Sequence, residues 1–189
     1  MHRICNAIWR RFLSLPVGFV FKYFYNIKFG GEAKFIGLPV FKGKGCISIG
    51  NNCVLVSLKL ANPIGLYRPC IIEAINEQSS IVIGNNFSAS GVCIVSEKSI
   101  TIGDNVSIGA NATIIDTDFH PINVIERNKS GLAFSEEIKI EDDVWIGMNA
   151  VILKGVTIHQ GAVIGANAVI TKSVPAGARA VGNPARIIL

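Results

Sequence analysis

The chain is poor in the residues from which metal, redox and disulfide chemistry is built. It has only three histidines, His2, His120 and His159, far apart in the sequence. It has five cysteines, Cys5, Cys46, Cys53, Cys70 and Cys93, an odd number with no Cys-x-x-Cys pair. That spacing argues against a disulfide framework or a zinc knuckle. It fits free thiols in a reducing cytoplasm, where Cys among apolar residues acts as a small hydrophobe. Charged residues are scarce too, at 16% against 50% apolar, which reads as one ordered domain with a real core. No uncharged run reaches the length of a membrane span. Pro16 and Lys22 interrupt the apolar part of the N-terminus and no small-residue cleavage site follows, so a secretory signal fits poorly.

The net charge of +5 is unevenly placed. Residues 1–45 hold eight Lys/Arg and one Glu; residues 46–189 hold ten Lys/Arg and twelve Asp/Glu. The basic character belongs to the N-terminal end, which argues against a general nucleic-acid surface. Residues 1–29 mix Arg and Lys with Trp9, Phe12, Phe19, Phe21 and Phe24. Two readings stand. One is a helix and extended arm packed on the rest of the chain; the other is a basic-aromatic segment resting peripherally on the inner-membrane surface. Residues 1–45 are expected to form this arm and its glycine-rich exit, and 46–189 the main domain.

What the main domain has in abundance is a beat of six. Ile140, Ile146, Ile152, Ile158, Ile164 and Ile170 each head a hexad whose fifth residue is Val or Ala. A 3.6-residue period drifts off six within two repeats, so this is not a helix. A six-residue period is the sign of a parallel β-helix: each hexad is a short strand plus a corner, and three hexads close a triangular coil. Successive coils stack about 4.8 Å apart, as neighbouring strands do. Asn, Asp and Gly crowd the third and fourth places, which suits corners needing left-handed backbone. The beat is faint from Ile47 to Ile83, and lost around Pro63, Gly65 and Pro69, where an excursion is expected. It is firm at Ile83, Ala89 and Val95, and again at Ile102, Ile108 and Ile114. The next position in phase holds His120. There the pattern stops, and the ladder resumes at Ile140. A loop over 119–139 therefore leaves a rigid scaffold at a histidine, and such loops are where function lives.

Ile102-Gly-Asp-Asn-Val, Asp118-Phe-His-Pro, Asp143-Val-Trp-Ile-Gly, Gly155-Val-Thr-Ile, Ile164-Gly-Ala-Asn, Val169-Ile-Thr-Lys and Gly182-Asn-Pro-Ala-Arg occur in this order. Over roughly residues 80–189 the chain resembles the hexapeptide-repeat acyltransferases. The similarity is to their sugar O-acetyltransferase branch, which includes the galactoside and maltose acetyltransferases and enzymes of surface-polysaccharide biosynthesis. The resemblance implies an all-β, left-handed parallel β-helix and a cytoplasmic homotrimer, with acetyl-CoA in a groove between neighbouring subunits.

The resemblance also assigns roles. His120 matches the family's general base. The chemistry asks for one, since a sugar hydroxyl is a poor nucleophile and an imidazole titrating near neutrality can take its proton. Asp118 and Asp116 flank it; a carboxylate on the far imidazole nitrogen would fix the tautomer, while two loop aspartates making local turns is the plain alternative. Trp145, with Gly147 and Met148 beside it, matches the pantetheine groove, although family members often carry a small hydroxyl or Gly where Met148 stands. Ala166, Thr171 and Lys172 match positions lining the CoA groove. Lys172 and Arg186 suit phosphates as point charge and fork. Ser90 falls where the galactoside and maltose enzymes carry an acceptor-binding Asn, and Ala133 where they carry a Glu. Ser90-Gly91-Val92 is more like the polysaccharide branch, so a sugar or glycan intermediate is the expected acceptor.

Three other readings are set beside this one. The first is an N-acetyltransferase of a nucleotide amino sugar. The second is a zinc enzyme such as a γ-type carbonic anhydrase, which needs three ligand histidines and is disfavoured by the positions of His2 and His159. The third is a non-catalytic assembly protein. No metal and no nucleic acid are expected.

Overall fold

The computed structural model describes residues 27–127 and 133–188. Twenty strands follow in chain order: β1 (Ile27–Phe29), β2 (Ala33–Ile36), β3 (Val40–Gly43), β4 (Cys46–Ile49), β5 (Cys53–Val56), β6 (Ile71–Ala74), β7 (Ser80–Ile83), β8 (Ser88–Ser90), β9 (Cys93–Ser96), β10 (Ser99–Ile102), β11 (Ser107–Ile108), β12 (Thr113–Ile115), β13 (Ile138–Ile140), β14 (Trp145–Ile146), β15 (Val151–Leu153), β16 (Thr157–Ile158), β17 (Val163–Ile164), β18 (Val169–Ile170), β19 (Arg179–Val181) and β20 (Arg186–Ile188). Every third strand pairs in parallel. Face A is β1-β4-β7-β10-β13-β16, face B is β2-β5-β8-β11-β14-β17-β19 with β20 added antiparallel, and face C is β3-β6-β9-β12-β15-β18. Three parallel faces wound by one chain make the expected left-handed β-helix, a triangular prism.

The hexad explains the prism. Ile102, Ile140 and Ile158 stack on face A, and Ile114, Ile152 and Ile170 on face C, all buried. The fifth-place residues Val144, Ala150, Val156, Ala162 and Ala168 turn inward at the corners and are buried as well. Corner asparagines take the left-handed backbone: φ is 56° at Asn52, 55° at Asn86 and 59° at Asn105. Their amides form a ladder: Asn52 donates to Asn86 at 2.9 Å, Asn86 to Asn105 at 2.9 Å, and Asn105 to the Asp143 carboxylate at 3.0 Å. One residue type thus supplies both the unusual φ and the coil-to-coil bond.

The first coil begins earlier than the boundary at residue 46. β1, β2 and β3 pair in register with β4, β5 and β6, so residues 27–45 are β-helix and not arm. Phe29, Phe35 and Phe41 keep the six-residue spacing with aromatics in place of Ile, and stand in register with Ile49, Leu55 and Ile72 one coil on. Their rings meet edge-to-face, with centroids 6.0–6.4 Å apart, and close the N-terminal end of the core. The rest of the N-terminal segment, residues 1–26, lies outside the described residues, as does Cys5. The excursion after β5 contains a single 3-10 turn, Lys59–Ala61. It folds back on the B–C edge, where Arg68 donates to the carbonyls of Gly91, Asn111 and Ala112 at 2.7–3.0 Å. Cys46, Cys53, Cys70 and Cys93 are free thiols, and burial pushes the last three up from their ordinary titration range. Among the described residues no helix is long and apolar enough to cross a membrane.

Candidate active site

The register jump from Ile102 to Ile140 marks the loop, against the regular step from Ile140 to Ile158. The loop leaves face C after β12 and returns to face A at β13, so it stands on the C–A edge. Its neck is clasped. Thr117 and Ser135 form an isolated antiparallel bridge, and both hydroxyls donate to Oε2 of Glu97, from Ser135 at 2.6 Å. The Glu136 N–H donates to the Asp116 carbonyl at 2.9 Å, and the Asp118 N–H to the Phe134 carbonyl at 3.1 Å.

The two flanking aspartates have different environments. Asp116 is fully buried. Its Oδ2 accepts from Ser96 Oγ at 2.7 Å, Lys98 N–H at 3.0 Å and Ser99 N–H at 2.8 Å; its Oδ1 accepts from Glu97 N–H at 2.7 Å. With four donors on it, this carboxylate staples the neighbouring coil's corner and has no capacity left for an imidazole. Asp118 pairs instead with Lys154, Oδ1 to Nζ 2.6 Å, and its Oδ2 is buried without a hydrogen-bond partner among the described residues. Of the two, only Asp118 has a free acceptor in the neck.

The chain then turns sharply. Phe119 has φ 60°, its N–H donates to Thr117 Oγ1 at 3.1 Å, and the His120 N–H reaches back to the Asp118 carbonyl at 2.7 Å. A γ-turn with a bulky residue at positive φ is a strained conformation, held here by the clasp beneath it. His120 itself is exposed, and Pro121 after it is buried.

The other sequence-predicted residues fall into two groups. Asp116 and Lys172, with the unpredicted Lys154 between them, stand two residues after the stacked Ile114, Ile170 and Ile152 respectively. They therefore form one column down the C–A edge, below the loop. Thr171, Lys172 and Arg186 line a groove of about 330 Å³ at the C-terminal end, floored by Ile170, Val174, Ala180 and Ala185. Trp145 belongs to face B, paired with Ser107 and Val163, and is 57% exposed. Ser90 ends β8 on the same face. Gly147, Met148 and Ala166 sit at the adjoining B–C corners. Gly147 has a structural reason of its own: a Cβ there would come within 2.5 Å of the Ala166 nitrogen one coil away. Face B is opposite the C–A edge. Within one subunit, His120 and Lys172 are thus on the far side of the prism from Trp145 and Ser90. His159 lies with Glu141 at 3.2 Å, and Lys139 and the Gln160 N–H hold that carboxyl below its usual range.

Sequence reasoning missed Glu97, Ser135 and Lys154. No motif carries them, because what brings them together is the coil-to-coil register and not local spacing.

Two family models match the chain. Residues 137–172 match the bacterial transferase hexapeptide (six repeats), and residues 99–124 the hexapeptide repeat of succinyl-transferase. The galactoside O-acetyltransferase of Escherichia coli is 44% identical over 111 residues, covering 58% of this chain and 54% of that protein. The 2,3,4,5-tetrahydropyridine-2,6-dicarboxylate N-acetyltransferase of Staphylococcus aureus is 43% identical over 88 residues, covering 47% of this chain and 32% of that protein. A solved structure of galactoside acetyltransferase in complex with coenzyme A superposes with a TM-score of 0.58 at 28% identity, covering 99% of this chain and 77% of that one. The matches span about half the length of the first curated relatives.

Proposed function

We propose an acetyl-CoA-dependent O-acetyltransferase acting on a hydroxyl of a sugar or surface-polysaccharide intermediate, a reading supported by the match of residues 99–124 and 137–172 to transferase hexapeptide repeats. The observation that carries it is the clasped loop. It holds His120 exposed on the C–A edge, the edge down which Lys172 stands two coils further on, at the mouth of the C-terminal groove that Arg186 also lines. The relatives' names support an acetyl donor and a sugar acceptor.

The groove fits the donor's chemistry. Two exposed cations stand over an apolar floor, which suits phosphates joined to an apolar arm. Lys172 and Arg186 would hold the phosphates, and Trp145 would contact the pantetheine. Acetyl-CoA, when bound, supplies an activated thioester acyl group. His120 would take the acceptor's proton as the hydroxyl oxygen bonds to the acyl carbon; the thioester C–S bond then breaks, and the imidazolium returns that proton to the departing CoA thiolate, leaving the acetyl ester, free CoA and a neutral imidazole. Direct transfer needs no acyl-enzyme. Asp118, with its free Oδ2, is the carboxylate suited to keeping the imidazole oriented.

Because Trp145 and His120 are on opposite sides of one prism, a site containing both needs two copies. Face C supports such an assembly. Its outward residues include Ile71, Cys93, Ile115, Val151, Leu153 and Val169 beside Lys42, Glu73 and Thr113, whereas face A turns out Ser48, Thr101, Lys139 and Thr157 with Val82 as its apolar member. A trimer covers that apolar face. Val151→Glu puts a charge at its centre. Sedimentation is expected at three chain masses for the wild type and at one for this variant.

The direct test is calorimetric titration with acetyl-CoA. We expect one site per subunit, with Lys172→Ala and Arg186→Ala each weakening it about tenfold, roughly 1.4 kcal/mol, and reducing its salt dependence. A folded trimer that takes up no acetyl-CoA would refute the proposal.

A further inference from the structure

No motif marks Lys154, yet it makes the only ion pair in the loop neck among the described residues. Its Nζ is 2.6 Å from Asp118 Oδ1, with the two side chains 22% and 25% exposed, and it also stands 5.6 Å from the centroid of the Phe134 ring. Lys154 is rooted in the coil, at the corner after β15. Asp118 and Phe134 belong to the two arms of the loop. One ammonium thus ties both arms to the scaffold. The same Asp118 is the pivot of the turn to His120, whose N–H donates to its carbonyl at 2.7 Å. The second carboxylate oxygen is buried without a hydrogen-bond partner among the described residues.

We infer that Lys154 is a positioning residue for His120: it fixes the Asp118 carboxylate and balances its charge, so that the imidazole two residues away is presented in its neutral, proton-accepting form. This rests on the reading of His120 as the general base. The other charged groups around the neck do not substitute for it. Asp116 is consumed by the corner N–H groups and Glu97 by the Thr117 and Ser135 hydroxyls. Glu136 lies against Gly155, Glu126 and Arg127 are further along the loop, and Lys98 and Lys172 stand at neighbouring corners. Without Lys154, the Asp118 charge, two residues from His120 in the same turn, is uncompensated and favours imidazolium.

The experiment follows the histidine signals by NMR through a pH titration, with His120→Ala identifying the resonance; it needs neither donor nor acceptor. In Lys154→Met the His120 midpoint is expected to rise by about one pH unit, and in Asp118→Asn to fall by a similar amount. Lys154→Arg, which keeps the charge, should match the wild type, and the double variant Lys154→Met/Asp118→Asn should return towards it. In turnover, the acid limb of the kcat/KM profile should move with the midpoint in Lys154→Met, with the KM for acetyl-CoA unchanged. A midpoint in Lys154→Met equal to the wild type overturns the inference, as does an equal displacement in Lys154→Arg. Failure of the general-base reading would show separately, as undiminished turnover in His120→Ala.

Discussion

His120→Ala is expected to lower kcat by about a hundred- to ten-thousandfold while leaving the affinity for acetyl-CoA within about twofold of the wild type. The separation of effects follows from the geometry. His120 stands at the head of the C–A column, on the loop, whereas Lys172 and Arg186 line the groove at the C-terminal end. Asp116 and Lys172 are two coils apart, about 10 Å at the strand spacing. The base and the anion contacts can thus be removed independently. Steady-state kinetics with a sugar acceptor, beside calorimetry on the same preparations, measures both quantities. A parallel loss of binding would mean that the histidine holds the donor rather than deprotonating the acceptor. Retained kcat would remove it from the chemistry.

The second large effect is expected in stability and falls on the other aspartate. Asp116→Ala strands three backbone N–H groups and the Ser96 hydroxyl in a corner where the carboxylate is fully buried. Hydrogen bonds to a charged acceptor are each worth about 1.5–3 kcal/mol, but Lys98 is exposed and water can re-solvate part of this corner. A net loss of about 3–5 kcal/mol is the expected outcome, read as a fall of about 10 °C in the thermal midpoint. Asp118→Asn should cost under about 1 kcal/mol, since its ion pair with Lys154 is partly exposed and its other oxygen has no partner among the described residues. Thermal unfolding of the two variants side by side tests the division of labour. If Asp116→Ala is as stable as Asp118→Asn, Asp116 is not the staple its contacts describe.

These two aspartates show how far the sequence reached. Both flank the histidine in Asp116-Thr-Asp118, and local spacing treats them alike. They are distinguished by what lies one coil away: the corner at residues 96–99 for Asp116, and Lys154 for Asp118. The same holds at the other end of the chain. Phe29, Phe35 and Phe41 keep the beat, but a pattern sought in Ile and Val does not register aromatics, so the first coil looked like part of an arm.

The sequence by itself determined the coil. Its period of six fixes which side chains point inward, which corners need Asn, Asp or Gly, and where the ladder breaks to release a histidine-bearing loop, because all of these are local properties of a repeating strand and corner. The tertiary structure decided which residues meet. Stacking partners depend on how many residues are inserted between coils, as in the jump from Ile102 to Ile140, and that offset brings Glu97, Ser135 and Lys154 to the neck. It also decided that Trp145 and His120 occupy opposite sides of the prism. A periodic sequence specifies a residue's place around the coil; only the closed three-sided winding specifies what stands across it.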